Sequence, residues 1–148
     1  MRVPELSGSR RVVFALLFAA ALAANTGNAM AQPANRIQLT QLEQMFTDMR
    51  AKTKWNVDGP LLWSYFFFDS NPMRLNQAAA ELKAAGYRVA GIEPDRSGSL
   101  FRLHVEKLEA HTPASLYQRN TEFYAFAEKY SLASYGGMDV GPAPASPK

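Results

Sequence analysis

The apolar positions change period several times along the chain, and each change predicts an element. Leu42, Met45, Phe46 and Met49 recur at three- and four-residue steps, the spacing of an amphipathic helix running to about Thr53. Thr40-Gln41-Leu42-Glu43 has the spacing of a capping box, so Thr40 is the expected N-cap with Glu43 reaching back. Residues 55–60 are rich in breakers and read as a connection. Residues 61–68, LLWSYFFF, are short, aromatic and bounded by turn formers, which predicts a strand buried on both faces. Asn71-Pro72 then opens a helix in which Leu75, Ala78, Ala79 and Leu82 share a face, and Gly86 ends it. Residues 87–93 and 100–110 read as two strands joined by the turn cluster Asp95-Arg96-Ser97-Gly98-Ser99, hence a hairpin. Thr112-Pro113 repeats the cap-plus-proline start. The helix after it carries Leu116, Asn120, Phe123, Phe126 and Ala127 on one stripe to about Tyr130, with Asn120 as its polar interruption. Residues 134–140 make a last strand, interrupted by Gly136-Gly137.

The order is a helix followed by β-α-β-β-α-β. Two split βαβ units of this kind predict an α+β fold, a ferredoxin-like sandwich whose four-stranded antiparallel sheet has two helices on one face. The first and third strands should be central, and the N-terminal helix is an addition. Residues 1–31 read as a signal peptide, 32–60 as the N-terminal helix and linker, 61–142 as the domain and 143–148 as a disordered, proline-rich tail.

Such a sheet leaves one face free. On the third strand Phe101, Leu103 and Val105 alternate with Arg102, His104 and Glu106, so the first set should meet the helices and the second the open side. The first strand has no polar alternation. Trp and Tyr tolerate a half-wet position better than Phe, which places Trp63, Tyr65 and Phe67 on the open face beside Arg102 and His104. An aromatic stripe there has three readings: cover by the N-terminal helix or by a second copy of the chain in a homodimer, a protein-binding surface, or stacking on single-stranded RNA.

Charge bears on the last of these. The chain has 16 Lys+Arg against 13 Asp+Glu. Arg2, Arg10 and Arg11 precede an uncharged run at residues 12–24, too short to span a bilayer, which needs about 20 apolar residues. It ends at Ala29-Met30-Ala31, a small-x-small site whose cleavage would leave Gln32 as the N-terminus of a periplasmic or secreted protein. Removing Arg2, Arg10, Arg11 and Glu5 leaves 13 basic residues against 12 acidic ones, so the basic character belongs largely to the leader. A mature chain this near neutrality has no global field for nucleic acid or an anionic membrane. The strand SLFRLHVEKL also lacks the glycine-aromatic pattern of RNA-stacking sheets.

With no Cys, the chain has no disulfide, thiolate metal site or thiol nucleophile. His104 and His111 stand seven apart without ligand spacing, and Glu106 or Glu109 beside them reads as a solvated pair. There is no G-x-S-x-G, phosphate loop or dinucleotide fingerprint. Asp69 and Asp139 read as turn and cap chemistry. The expectation is a protein that is not an enzyme and uses no cofactor or metal.

From Trp63 onward WSYFFFD, LKAAGYRV, LHVEKLEAHTPASL and SYGGMDVGP resemble the ribonuclease E inhibitor family RraB, regulator of ribonuclease E activity B. The most distinctive piece is Tyr135-Gly136-Gly137-Met138-Asp139-Val140-Gly141-Pro142, where the family commonly carries Y-D-G-[WM] before a short strand, with Gly136 here where the family tends to have Asp. The resemblance implies a ferredoxin-like fold and binding to ribonuclease E without catalysis. The combined expectation is an exported, non-enzymatic binding module that meets a protein through Trp63, Tyr65, Phe67, Arg102, His104 and the segment Tyr135, Gly136, Gly137, Met138 and Asp139. The alternative is a cytoplasmic regulator of ribonuclease E.

Overall fold

A computed structural model of the chain describes residues 36–145. The expected signal segment with Ala29, Ala31 and Gln32, the stretch to Asn35 and the last three residues lie outside them. The described elements are α1 (Leu39–Lys52), β1 (Leu61–Asp69), α2 (Pro72–Ala84), β2 (Arg88–Pro94), β3 (Phe101–Glu109), α3 (Pro113–Lys129) and β4 (Ser134–Gly141). The strands form one antiparallel sheet in the order β2-β3-β1-β4, with β1 and β3 central as expected. That order fits the ferredoxin-like expectation in its strand arrangement.

Local chemistry explains most boundaries. Asn71 Oδ1 accepts the Met73 N–H at 2.9 Å, and Pro72 occupies the first turn of α2. Gly86 follows the helix at φ 95°, a left-handed value that favours glycine. Thr112 and Ser115 cap α3 reciprocally: Ser115 N–H donates to Thr112 Oγ1 at 3.1 Å and Thr112 N–H to Ser115 Oγ at 2.9 Å. The cap of α1 is Gln38, not Thr40, with Gln41 Oε1 accepting the Gln38 N–H at 2.8 Å. Ile37, directly before it, is buried and donates its N–H to Tyr124 Oη at 3.0 Å, an anchor that starts the helix earlier.

β1 is not buried on both faces. Its burial alternates: Leu61, Trp63, Tyr65, Phe67 and Asp69 are buried, while the residues between them are half-buried. The buried set faces the helices. Phe46 of α1 stacks on Trp63 with centroids 6.0 Å apart, and Phe123 of α3 meets Tyr65 at 4.8 Å and Phe67 at 5.2 Å, edge-on. Leu75, Ala78, Ala79 and Leu82 of α2 complete this core. Asn120, the polar interruption of α3, is fully buried and satisfied: it accepts from Tyr135 Oη at 2.6 Å and donates to Met138 Sδ at 3.2 Å.

Candidate functional site

Residues opposite one another in an antiparallel pair share a face. Phe66 stands opposite His104, Phe68 opposite Arg102 and Ser64 opposite Glu106. Across the other neighbours, Gly91 faces His104, Glu93 faces Arg102, and Asp139 faces Ser64. The open side of the sheet is therefore Ser64, Phe66 and Phe68 framed by Arg102, His104, Glu106 and Asp139. Arg102, His104 and Asp139 lie where a surface was expected. Trp63, Tyr65 and Phe67 do not: their partners are Lys107, Val105 and Leu103 on the helix side, and each is 0 % exposed. Their polar tips find partners indoors, so the half-wet position they were assigned is unnecessary. Trp63 Nε1 donates to the Glu109 carbonyl at 3.1 Å and Tyr65 Oη to the Glu109 carboxylate at 3.1 Å. Cover by the N-terminal helix does occur, through Phe46, but on the helix face.

The Tyr135-to-Asp139 segment is split in the same way. Tyr135 and Met138 are buried opposite Phe67 and Tyr65. The register slips between Phe66 and Phe67, so Gly136 and Gly137 form a bulge, with Gly137 at φ 97°. What approaches Gly136 is this chain's own Phe68, whose Cε2 would lie 2.2 Å from a Cβ added there.

The open face is electrostatically stitched. The Arg102 guanidinium sits 5.3 Å above the Phe66 ring centroid, and the His104 ring meets Phe66 at 4.9 Å. Arg88 Nε donates to Glu106 Oε1 at 2.6 Å. His104 Nε2 lies 2.9 Å from Ser64 Oγ and 3.7 Å from Glu106 Oε2. Burial pushes the His104 imidazole below its ordinary value; Glu106 and Asp139 oppose this, while Arg102 and Arg88 reinforce it. Ser64 and His104 thus make a hydrogen-bonded pair, but Glu106 approaches the same ring nitrogen as Ser64. A serine–histidine–acid relay needs its carboxylate on the other one.

A second polar cluster, missed from the sequence, lies under the start of α3. Glu109 Oε2 accepts from His111 Nε2 at 2.6 Å, from Arg119 Nη1 at 2.5 Å and from Tyr65 Oη at 3.1 Å. Arg119 Nη1 also donates to Tyr87 Oη at 2.5 Å, and His111 Nδ1 lies 2.9 Å from Ser115 Oγ. Burial acts to raise the Glu109 carboxyl, but the hydrogen bonds from His111 and Arg119 outweigh it and hold it down at about 2. Burial pushes the Tyr87 phenol up to about 12 and the Tyr65 phenol well above its ordinary range. The Glu109–His111 pair is thus largely buried, at the floor of a surface pocket lined also by Ser115, Gln118, Arg119 and Glu122, where a solvated pair was expected. The only sequence signal was Glu109, His111, Ser115 and Arg119 at two- and four-residue steps across a strand-to-helix junction. The expected turn role of Asp69 is present: it accepts from the N–H groups of Asn71 and Ala133, each at 3.0 Å.

Among the described residues no three His, Asp or Glu side chains come together as a metal site, and no helix is long and apolar enough to cross a membrane.

A family model described as regulator of ribonuclease activity B matches residues 40–140. The chain belongs to the RraB family. The match runs from the first turn of α1 through β4 and so takes in both the open face and the Glu109 cluster. No curated protein matches the chain.

Proposed function

We propose that this RraB-family protein is a non-enzymatic regulator that acts by binding another protein on its open sheet face, with ribonuclease E as the partner that membership suggests. The fold is read as a ferredoxin-like sandwich with α1 added to its helical layer. The observation that carries the reading is the one-sided cover. All the described helices contribute to the core on one face, while half-buried Phe66 and Phe68 stay among Arg102, His104 and Asp139 on the other. Aromatic rings beside an arginine are the composition of interface centres. With no strong net charge to steer a partner, affinity has to come from packing at short range.

Calorimetric titration of the full chain into ribonuclease E tests this. Phe66→Ser with Arg102→Glu is expected to weaken binding by roughly tenfold or more with an unchanged circular dichroism spectrum. A double variant that binds like the parent would overturn the assignment of the surface. A second copy of the chain is the competing occupant; a dimer in sedimentation that Phe66→Ser dissociates would put the chain itself in the partner's place.

The leader favours a second reading of the compartment: the basic start, the uncharged run and Ala29-Met30-Ala31 fit an export signal, which would bring the same face to a periplasmic protein. An alkaline-phosphatase fusion after Gln32 separates the two. An active fusion supports export, and an inactive one leaves the cytoplasmic regulator.

A further inference from the structure

β4 ends with Gly141 opposite Leu62, and Pro142, which has no N–H to donate, cannot extend the ladder. Residues 142–145 then run Pro-Ala-Pro-Ala without helix or strand. Alternating prolines favour an extended left-handed helix rising about 3.1 Å per residue, and neighbouring strands lie about 4.8 Å apart. Three residues therefore carry the chain past β1 to β3. Pro144 stands there: with Leu62, Arg88, Glu106 and Leu108 of the open side, and Gly86 and Lys107 where the groove turns over the sheet's end, it bounds a space of about 660 Å³. Leu108, 52 % exposed, is the large apolar side chain this groove leaves to solvent.

We propose that residues 142–145 are a strap that closes over Leu62 and Leu108 and holds this end of the open face until a protein partner displaces it. The chemistry fits such a seat. Proline rings are apolar, carry no N–H to be desolvated, and lose little entropy because their backbone is already extended. Of the charges lining the groove, Arg88 is paired with Glu106 and Lys107 lies 3.8 Å from the Glu109 carboxylate, so the strap meets no unpaired ion there. Displacement by a partner rests on the reading of the open face given above, whereas the seat itself does not.

The chain has no Cys, so Ala145→Cys gives a unique site for a nitroxide label on the full-length protein. The strap predicts paramagnetic broadening of the Arg88 and Leu108 amides, none at Leu75 in the first turns of α2, and a clear loss of the effect at Arg88 and Leu108 in Leu108→Ser; Leu62, paired with Gly141, is broadened in either case and serves as the reference. Equal broadening on both faces, or none, overturns it. So does broadening that arises only between labelled and unlabelled copies, which would mean that a second chain fills the groove. For the displacement, Pro142→Gly with Pro144→Gly should tighten ribonuclease E binding roughly threefold by removing the competing state. Unchanged affinity alongside the broadening overturns the competition and retains the strap. Broadening with no ribonuclease binding by either form overturns the partner and not the strap.

Discussion

Glu109 accepts three hydrogen bonds from groups on two elements, β1 and α3, and from the junction before α3. Its removal is the most informative single change. Glu109→Gln leaves Arg119 and His111 without their carboxylate and should cost on the order of 3 kcal/mol in a urea melt at neutral pH. The sign of the pH effect follows from the depressed value. The contribution is fully present above the ordinary carboxyl value of 4.5 and disappears as the pH falls through about 2. The gap between parent and variant should therefore hold level from about pH 6 to about pH 5 and shrink as the pH falls from there towards about 2.5, and a gap that stays constant over the whole range would contradict the role. Gly136 makes a different point. A Cβ there would stand 2.2 Å from Phe68 Cε2 and 2.7 Å from Cδ2. Gly136→Ala should destabilise by about 1–3 kcal/mol. The same change in a Phe68→Ala background should cost much less, and that coupling is what a double-mutant cycle measures.

For the elements, capping chemistry written in adjacent residues was legible. Asn71-Pro72, Thr112-Pro113 and Gly86 stand where α2 and α3 begin and α2 ends. The start of α1 was not, because Gln38 is selected by Ile37, whose N–H is bound by Tyr124, 87 positions away in the chain. The faces of β1 were illegible for a related reason. LLWSYFFF has no polar alternation, so only its register against β3 decides which rings go inward. That register sets Tyr65 opposite Val105 and Phe67 opposite Leu103. The faces of β3, where charged and apolar residues do alternate, were read correctly. Two substitutions on β1 express the difference. Trp63→Ala should cost about 3–5 kcal/mol as a core truncation, while Phe66→Ala, on the half-buried side, should cost about half as much or less in the same thermal or urea melt.

Across the whole molecule, the sheet divides the chain into a packed side and an open one, with β1 bonded to β3 and β4 along most of its length. Its amides should be the slowest to exchange with deuterium, and those of α1 faster, since α1 adds to the layer from one edge through Phe46 and its contacts with α3. An exchange map with α1 as the most protected element would contradict this layering. The amino-acid sequence by itself determined the order of elements, their punctuation, the central place of β1 and β3, and the family. These depend on local propensity, on periods of two and of three to four residues, and on motif identity. Only the tertiary structure decided which rings of β1 are core, that Gly136 yields to Phe68 rather than to a partner, and that Glu109 binds a cluster whose members lie up to 44 positions away from it. Those outcomes turn on strand register and on whether a buried polar tip finds a partner, and neither is encoded in the spacing of residues along one strand.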